Sequence, residues 1–232
     1  MIEISIVIPA YNEEKTIGRL VSEIFKIFKR EEIEVIVVDD HSTDSTREIV
    51  KSLEKKFKDL RLLKKRGKRG KTTSILQGFE KARGKIISMI DADLQYPPSA
   101  IPKMAKLIKE GKADIVVGKR IYKTDFRKVL SSSFSFFSRV LLGIKSGDIQ
   151  SGEKVFKRKV LDEVGIENIK SKKWGFDVEF LFRARKFGLT DFPIKFSPRI
   201  SGRTKVSILY TTFDLFIVMM KLFTERIKIL RS

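Results

Sequence analysis

The chain contains no cysteine, so it has neither a disulfide framework nor a thiolate metal site. Its single histidine, His41, has no partner histidine or cysteine with which to complete a zinc set and reads as a turn residue, a position in which a catalytic triad is not expected. No stretch rich in proline, glycine or serine divides the sequence and no segment repeats, so the 232 residues read as one domain. Acidic side chains are in deficit: 29 Asp and Glu against 49 Lys and Arg leave a net charge of +20, a field that attracts polyanionic or phosphorylated partners. Long apolar runs are missing too. The most apolar segment, residues 207–223, is interrupted by Asp214 and Lys221 and falls short of the roughly 20 residues that span a bilayer, so it reads as amphipathic and peripheral. Met1 leads directly into a strand-like run without a basic and then apolar leader, so a location on the cytosolic side is expected.

What is present is alternation. Residues 2–8 (IEISIVI) and 33–38 (IEVIVV) are β-branched runs, and residues 16–29 between them carry Ile17, Leu20, Val21, Ile24, Phe25 and Phe28 at helical spacing. A second unit follows, with helices over 45–57 and 71–82 and strands over 60–63 and 85–90. This spacing predicts an α/β fold with a doubly wound, mainly parallel sheet, whose ligands bind beyond the carboxyl ends of the strands, at 9–13, 39–44 and 91–95. After a further strand at 115–117 the alternation is expected to end. Residues 126–143 then form a helix with Phe126, Leu130, Phe134, Phe137 and Leu141 on one stripe, flanked by Arg127, Lys128 and Arg139. That stripe suits either core packing or a membrane interface.

The chemistry concentrates at the strand ends. Asp91-Ala92-Asp93 puts two carboxylates where a hard divalent cation can be held against a diphosphate, and Gln95 follows before a rigid Pro97-Pro98 turn. Two acids in a turn are otherwise merely solvated; the preceding buried strand favours the functional reading. Asp39 and Asp40 offer acceptors to a ribose or base, while Ser42 or Asp44 suits a helix cap. Tyr11 is available to stack on a base and Glu13 to accept from it, although Asn-Glu before a helix is also ordinary capping chemistry. Residues 64–71 (KKRGKRGK) carry six cationic side chains and two glycines, either a phosphate-contacting loop or a solvated charge run. They are not a Walker A loop, which requires glycine where Lys65 stands. Nucleic acid is not expected, because the basic run lacks interleaved aromatics and lies beside three acidic turns.

Taken in order, IVIPAYNEE, VVDDHSTDST, the basic loop before TTSILQGFEKARG, MIDADLQYPP, VVGKR and DIQSGEKVF resemble the family-two inverting glycosyltransferases of the GT-A fold, most closely the dolichol-phosphate mannose synthases. The resemblance implies a nucleotide-sugar-binding half at 1–120, an acceptor side at 121–206 and an amphipathic segment at 207–232. It assigns Pro9, Tyr11, Glu13, Val38 and Asp40 to the nucleoside, and Asp91 and Asp93, with Gln95 close by, to Mg²⁺ or Mn²⁺ on the diphosphate. It sets Ala92 in the sugar pocket, and Arg120, Arg199 and Lys205 on phosphates of donor or acceptor. The implied reaction moves a hexose, mannose from GDP-mannose in first place and glucose from a UDP-sugar next, to a polyprenyl phosphate at the cytosolic membrane face. A separate small membrane subunit is a candidate anchor. A lipid phosphate needs little general-base help, whereas a sugar hydroxyl of a growing glycan would need a carboxylate, Asp177 or Glu179. One departure stands out: relatives have an aromatic after Ser-Gly where this chain has Glu153. The rival from another class is a non-catalytic nucleotide or polyanion binding module.

Overall fold

The computed structural model describes residues 2–28, 32–121, 126–172, 174–199 and 208–231. In chain order the elements are β1 (Ile4–Ala10), α1 (Ile17–Ile27), β2 (Ile33–Asp39), α2 (Thr46–Glu54), β3 (Leu60–Lys64), α3 (Lys71–Lys81), β4 (Ile86–Met89), α4 (Ala100–Lys109), β5 (Ile115–Ile121), α5 (Phe126–Leu142), β6 (Lys154–Lys157), α6 (Arg158–Val164), a 3-10 turn at Ile166–Asn168, α7 (Phe176–Arg183), β7 (Leu189–Lys195) and α8 (Ile208–Arg231). The strands form a seven-stranded sheet in the order β3-β2-β1-β4-β6-β5-β7. β1, β2 and β4 are buried on both faces, which is why they read as unbroken apolar runs. One face packs beneath α1 and α4 through residues such as Ile6, Leu20, Ile24 and Met104. The other carries α3, α6, α7 and part of α8 over Val7, Ile36, Phe79, Phe156 and Phe180.

The alternation does not end at 117. β6 inserts inside the sheet between β4 and β5, antiparallel to both, and β7 extends the sheet parallel to β5. Neither announces itself locally. β6 is only KVFK, with a lysine at each end, and β7 carries Asp191 and Pro193 and is mostly half-buried; long-range pairing overrides local composition in both. The antiparallel insertion matters for the site. Met89 pairs with Lys154, so the loop entering β6 lies at the same edge where β1, β2 and β4 end.

The aromatic stripe expected on α5 divides. Phe134 and Leu141 lean on the core, whereas Phe137 is 55% exposed together with Phe136 at 57% and Val140 at 60%; the side chains of Phe126 and Leu130 lie outside the described residues. The buried line of α5 is Ser135, Ser138 and Leu142, and the Ser138 hydroxyl lies 3.9 Å from Met219 Sδ, so small side chains let α8 approach closely. α8 continues well past 223, burying Leu215, Met219 and Leu222 and exposing Phe213, Phe216, Ile217 and Met220. Arg226 donates to the last carbonyls of α5 at Val140 and Leu141, a favourable use of a cation at a helix C-terminus. Among the described residues no helix is long and apolar enough to cross a membrane.

Candidate active site

Three parallel strands end at one edge, and each of the loops that follow β1, β2 and β4 contains a non-glycine residue in the left-handed region: Asn12 (φ 52), His41 (φ 62) and Leu94 (φ 59). Such conformations are costly and persist only where surrounding contacts fix them. Asn12 exchanges hydrogen bonds with Thr43, accepting from its amide at 2.7 Å and donating to its hydroxyl at 3.2 Å. His41 Nε2 reaches the Gly67 carbonyl at 2.7 Å, so the histidine serves to tie down the basic loop. The first two loops are thereby locked to one another and to the basic segment.

Asp91 and Asp93 follow β4 by two and four residues. Lys71 Nζ, on the first residue of α3, lies 2.6 Å from Asp91 Oδ1. Arg199 Nη2 bridges Asp93 Oδ2 at 3.0 Å and Glu13 Oε1 at 3.3 Å, and Asp93 Oδ1 also accepts from the Gln95 amide. Burial, followed by the charge of Asp91, raises the Asp93 carboxyl above its ordinary pKa despite Arg199. Burial works against the Lys71 ammonium, but the charges of Asp91 and Asp177 outweigh it and hold the lysine above its usual value. Gln95 is turned elsewhere: its Nε2 donates to the Ser197 carbonyl, and Ser197 N donates back to the Gln95 carbonyl. That exchange carries Arg199 to Asp93. The structure thus brings Glu13, Asp91, Asp93 and Arg199 together, and Lys205 lies outside the described residues.

On the nucleoside side, Asp40 accepts from buried Lys65 Nζ at 2.7 Å and from the Gly70 amide at 2.9 Å. Asp39 is taken by Arg47 at 2.6 Å. Asp44 caps α2, accepting from Thr46 N at 3.0 Å, as one of its two sequence readings has it. Arg69 stacks over the Tyr11 ring at 4.5 Å. Pro9 and Val38 are paired neighbours on β1 and β2, but the Val38 side chain is wholly buried and Ala92 is 4% exposed, so both present backbone rather than side chain to a ligand.

On the remaining side, the register that pairs Met89 with Lys154 sets Gly152 against Asp91. A Cβ at position 152 would come within 2.2 Å of Asp91 Oδ2, so only glycine fits there. The Gly152 amide donates to the hydroxyl of buried Tyr96 at 2.8 Å. Arg120 forms a two-pronged pair with Asp148, 2.7 Å on each prong, and lies over the Phe196 ring at 5.4 Å. It is therefore a braced residue at the rim. Asp177 accepts from Lys154 Nζ at 2.5 Å; both groups are buried, and Lys154 sits below the ordinary lysine pKa because of that burial, opposed by Asp177. Glu179 accepts from the amides of Lys170 and Ser171 and pairs with Arg183 at 2.7 Å. Glu153 is fully buried, neither carboxyl oxygen has a hydrogen-bond partner among the described residues, and burial together with the charge of Asp91 pushes its pKa well above the ordinary range. The departure from the family aromatic is therefore a fully buried carboxyl without a hydrogen-bond partner among the described residues.

Sequence reasoning missed the roles of Lys71, Lys65, Tyr96, Asp148 and Lys154. The first two were visible only as members of a basic run, and the others carry no local signal, because each acts through a partner distant in sequence. The donor set suits a hard dication. Two strand-end carboxylates already stand beside cationic groups, and no cage of three or more His, Asp or Glu is preformed among the described residues. Asp91 and Asp93 are the residues that would hold such an ion, which would supply positive charge against a diphosphate.

Comparison with known proteins agrees with this arrangement. The chain is 30% identical over 216 residues to a dolichol-phosphate mannosyltransferase of Pyrococcus furiosus, covering 88% of this chain and 59% of that protein, so it spans about three fifths of that relative. It is 29% identical to the dolichol-phosphate mannosyltransferase of Saccharomyces cerevisiae, covering 89% of this chain and 82% of the relative. Against an undecaprenyl-phosphate mannosyltransferase of Micrococcus luteus the identity is 28%, covering 87% and 86%. Among solved structures, glucosyl-3-phosphoglycerate synthase of Mycobacterium tuberculosis with phosphoglyceric acid superposes with a TM-score of 0.77 at 20% identity, covering 95% of this chain and 79% of that one. The same enzyme with Mn²⁺, UDP and glucosyl-3-phosphoglycerate gives 0.74 at 18%, covering 95% and 79%. The mixed sheet is that of the GT-A glycosyltransferases. The model of glycosyl transferase family 2 matches residues 5–165, and the chain belongs to that family.

Proposed function

We propose that this protein is an inverting glycosyltransferase that moves a hexose, with mannose from GDP-mannose favoured, onto a polyprenyl monophosphate such as dolichyl phosphate, using Mg²⁺ or Mn²⁺. The observation that carries the reading is the pair Asp91 and Asp93 at the carboxyl edge, faced by Lys71 and Arg199. When bound there, the dication supplies electrostatic stabilisation to the departing nucleoside diphosphate. Lys71 and Arg199 add positive charge beside it, aimed where charge grows as the glycosidic bond breaks. Asp40 and Tyr11, fixed by Lys65 and Arg69, shape the nucleoside end. The acceptor attacks the anomeric carbon from the opposite side and inverts it.

A phosphate acceptor is favoured by what happened to the candidate bases. Asp177 is committed to Lys154, Glu179 to Arg183 and two amides, and Glu153 is fully buried, with its pKa pushed well above the ordinary range by burial and the charge of Asp91. A hydroxyl acceptor would need one of them free; an anionic lipid phosphate does not. The names of the mannosyltransferase relatives, two acting on dolichol phosphate and one on undecaprenyl phosphate, support the same choice. The exposed apolar residues of α5 and α8, with exposed Arg139 and Lys221 beside them, support peripheral attachment to a membrane face.

The test is transfer from labelled GDP-mannose and UDP-glucose with Mn²⁺ or Mg²⁺, with and without polyprenyl phosphate. Label from GDP-mannose in the organic phase is expected. Label that enters only water-soluble or polymeric acceptors would move the assignment to another acceptor, and none from any donor would leave a binding module. Flotation on anionic liposomes should be lost in Phe136→Ser/Phe137→Ser.

A further inference from the structure

Asp91 Oδ1 is taken by Lys71 Nζ at 2.6 Å, and its Oδ2 faces the space beside Gly152 that a side chain there would fill. A cation on Asp91 competes with that ammonium, since two positive charges held against one carboxylate repel each other.

Lys71 is held to this position by its backbone. The Gly70 amide donates to Asp40, and a Cβ on Gly70 would lie 2.6 Å from the Lys172 carbonyl, so α3 starts at a fixed point. The side chain keeps 22% exposure and can swing, unlike wholly buried Lys154. Once displaced, Lys71 finds the other described carboxylates around it already paired, Asp93 with Arg199 and Asp177 with Lys154. The acid whose charge it already feels besides Asp91 and Asp93 is Asp177, and Asp177 is the partner of Lys154 at 2.5 Å. A displaced Lys71 therefore sits as a bare ammonium at the first turn of an 11-residue helix, where the helix end also favours an anion over a cation.

We propose that Lys71 competes with the divalent cation for Asp91, and that a nucleoside diphosphate, by receiving the displaced ammonium, makes cation and nucleotide bind cooperatively. The inference rests on the donor-site reading above and deepens it: the cation binds weakly alone and tightly with nucleotide, and by reciprocity the nucleotide binds tightly only with the cation. Lys71 is a positioning residue in this account.

The measurement is Mn²⁺ binding to the full chain, followed by the electron spin resonance of free Mn²⁺ without nucleotide and with saturating GDP or UDP. Lys71→Met should bind Mn²⁺ alone about tenfold more tightly than the wild type, as expected for loss of one competing charge. Its enhancement by GDP or UDP should shrink by a similar factor. Lys71→Arg should retain weak, nucleotide-dependent binding, Asp91→Asn should lose the site, and Lys71→Gln repeats the neutral case should the methionine variant fail to fold. Equal or weaker Mn²⁺ binding in the neutral variants, undiminished nucleotide enhancement, or no Mn²⁺ binding by any form would overturn the proposal. Because no transfer is measured, the expected linkage in a protein that glycosylates nothing would sink the proposed reaction and leave this inference standing.

Discussion

The two ends of the same sheet bury carboxyl groups in opposite ways. At the amino end, Glu34 is completely buried and accepts from the Ser5 hydroxyl at 2.7 Å, the Arg83 amide at 2.6 Å and Arg61 at 2.6 Å. Burial alone would raise its pKa, but these donors outweigh it and hold the carboxyl below its ordinary value. At the carboxyl end, Asp93 is raised and Glu153 is raised further, with no donor for either Glu153 oxygen among the described residues. The amino end satisfies its charge with hydrogen-bond donors and is structural; at the other end Asp91 and Asp93 are held by the movable cations Lys71 and Arg199, and Glu153 has no donor among the described residues.

The largest effect that would sharpen this contrast is on catalysis. Asp91→Asn or Asp93→Asn should reduce transfer by at least about a hundredfold, the scale of removing one electrostatic stabiliser, with a melting temperature no lower than wild type. A loss of folding instead would show the edge to be structural after all. Next, Glu34→Ala should cost on the order of 3 kcal/mol in urea denaturation, because Arg61 and the Ser5 hydroxyl lose their buried partner, while activity per folded molecule stays put. A cost below about 1 kcal/mol would break the comparison from its other side.

Asp40→Ala should raise KM for the donor by about tenfold with a much smaller change in kcat, since it frees Lys65 and the Gly70 amide without touching the reacting carbon. Steady-state kinetics decide it, and a fall in kcat at constant KM contradicts this division. The smallest effect concerns Glu153. A carboxyl whose folded pKa is raised binds its proton more tightly folded than unfolded, so stability declines as pH rises from the ordinary glutamate value toward the raised one. Glu34, shifted the other way, contributes stability that is lost as pH falls through its lowered value. Glu153→Gln should thus raise the melting temperature at neutral pH more than in acid, and an unchanged pH profile would show that Glu153 ionises in place.

Most of the first half of the chain was legible because its elements are locally determined, although α4 at 100–109 was not read. Strands buried on both faces read as β-branched runs, and α1 and α3 show their periodicity. β6 and β7 were not legible, because a four-residue strand with a buried lysine is defined by its partners. The same division runs through the site. Asp91, Asp93, Glu13 and Asp40 could be found from spacing after strands. The partners that set their behaviour could not, since Lys71 to Asp91, Arg199 to Glu13 and Arg120 to Asp148 join segments that only the folded sheet brings together.

The internal position of β6 also dictates an order of assembly. β1 to β4 can pair as soon as they are made, but β5 and β7 have no route into the sheet until β6 joins β5 to β4. Contacts of such long sequence separation form late, after their loop-closure entropy has been overcome. Gly152 reaches Asp91 only at that moment, so a nascent chain stopped short of β6 holds its acidic pair without the loop that aims it.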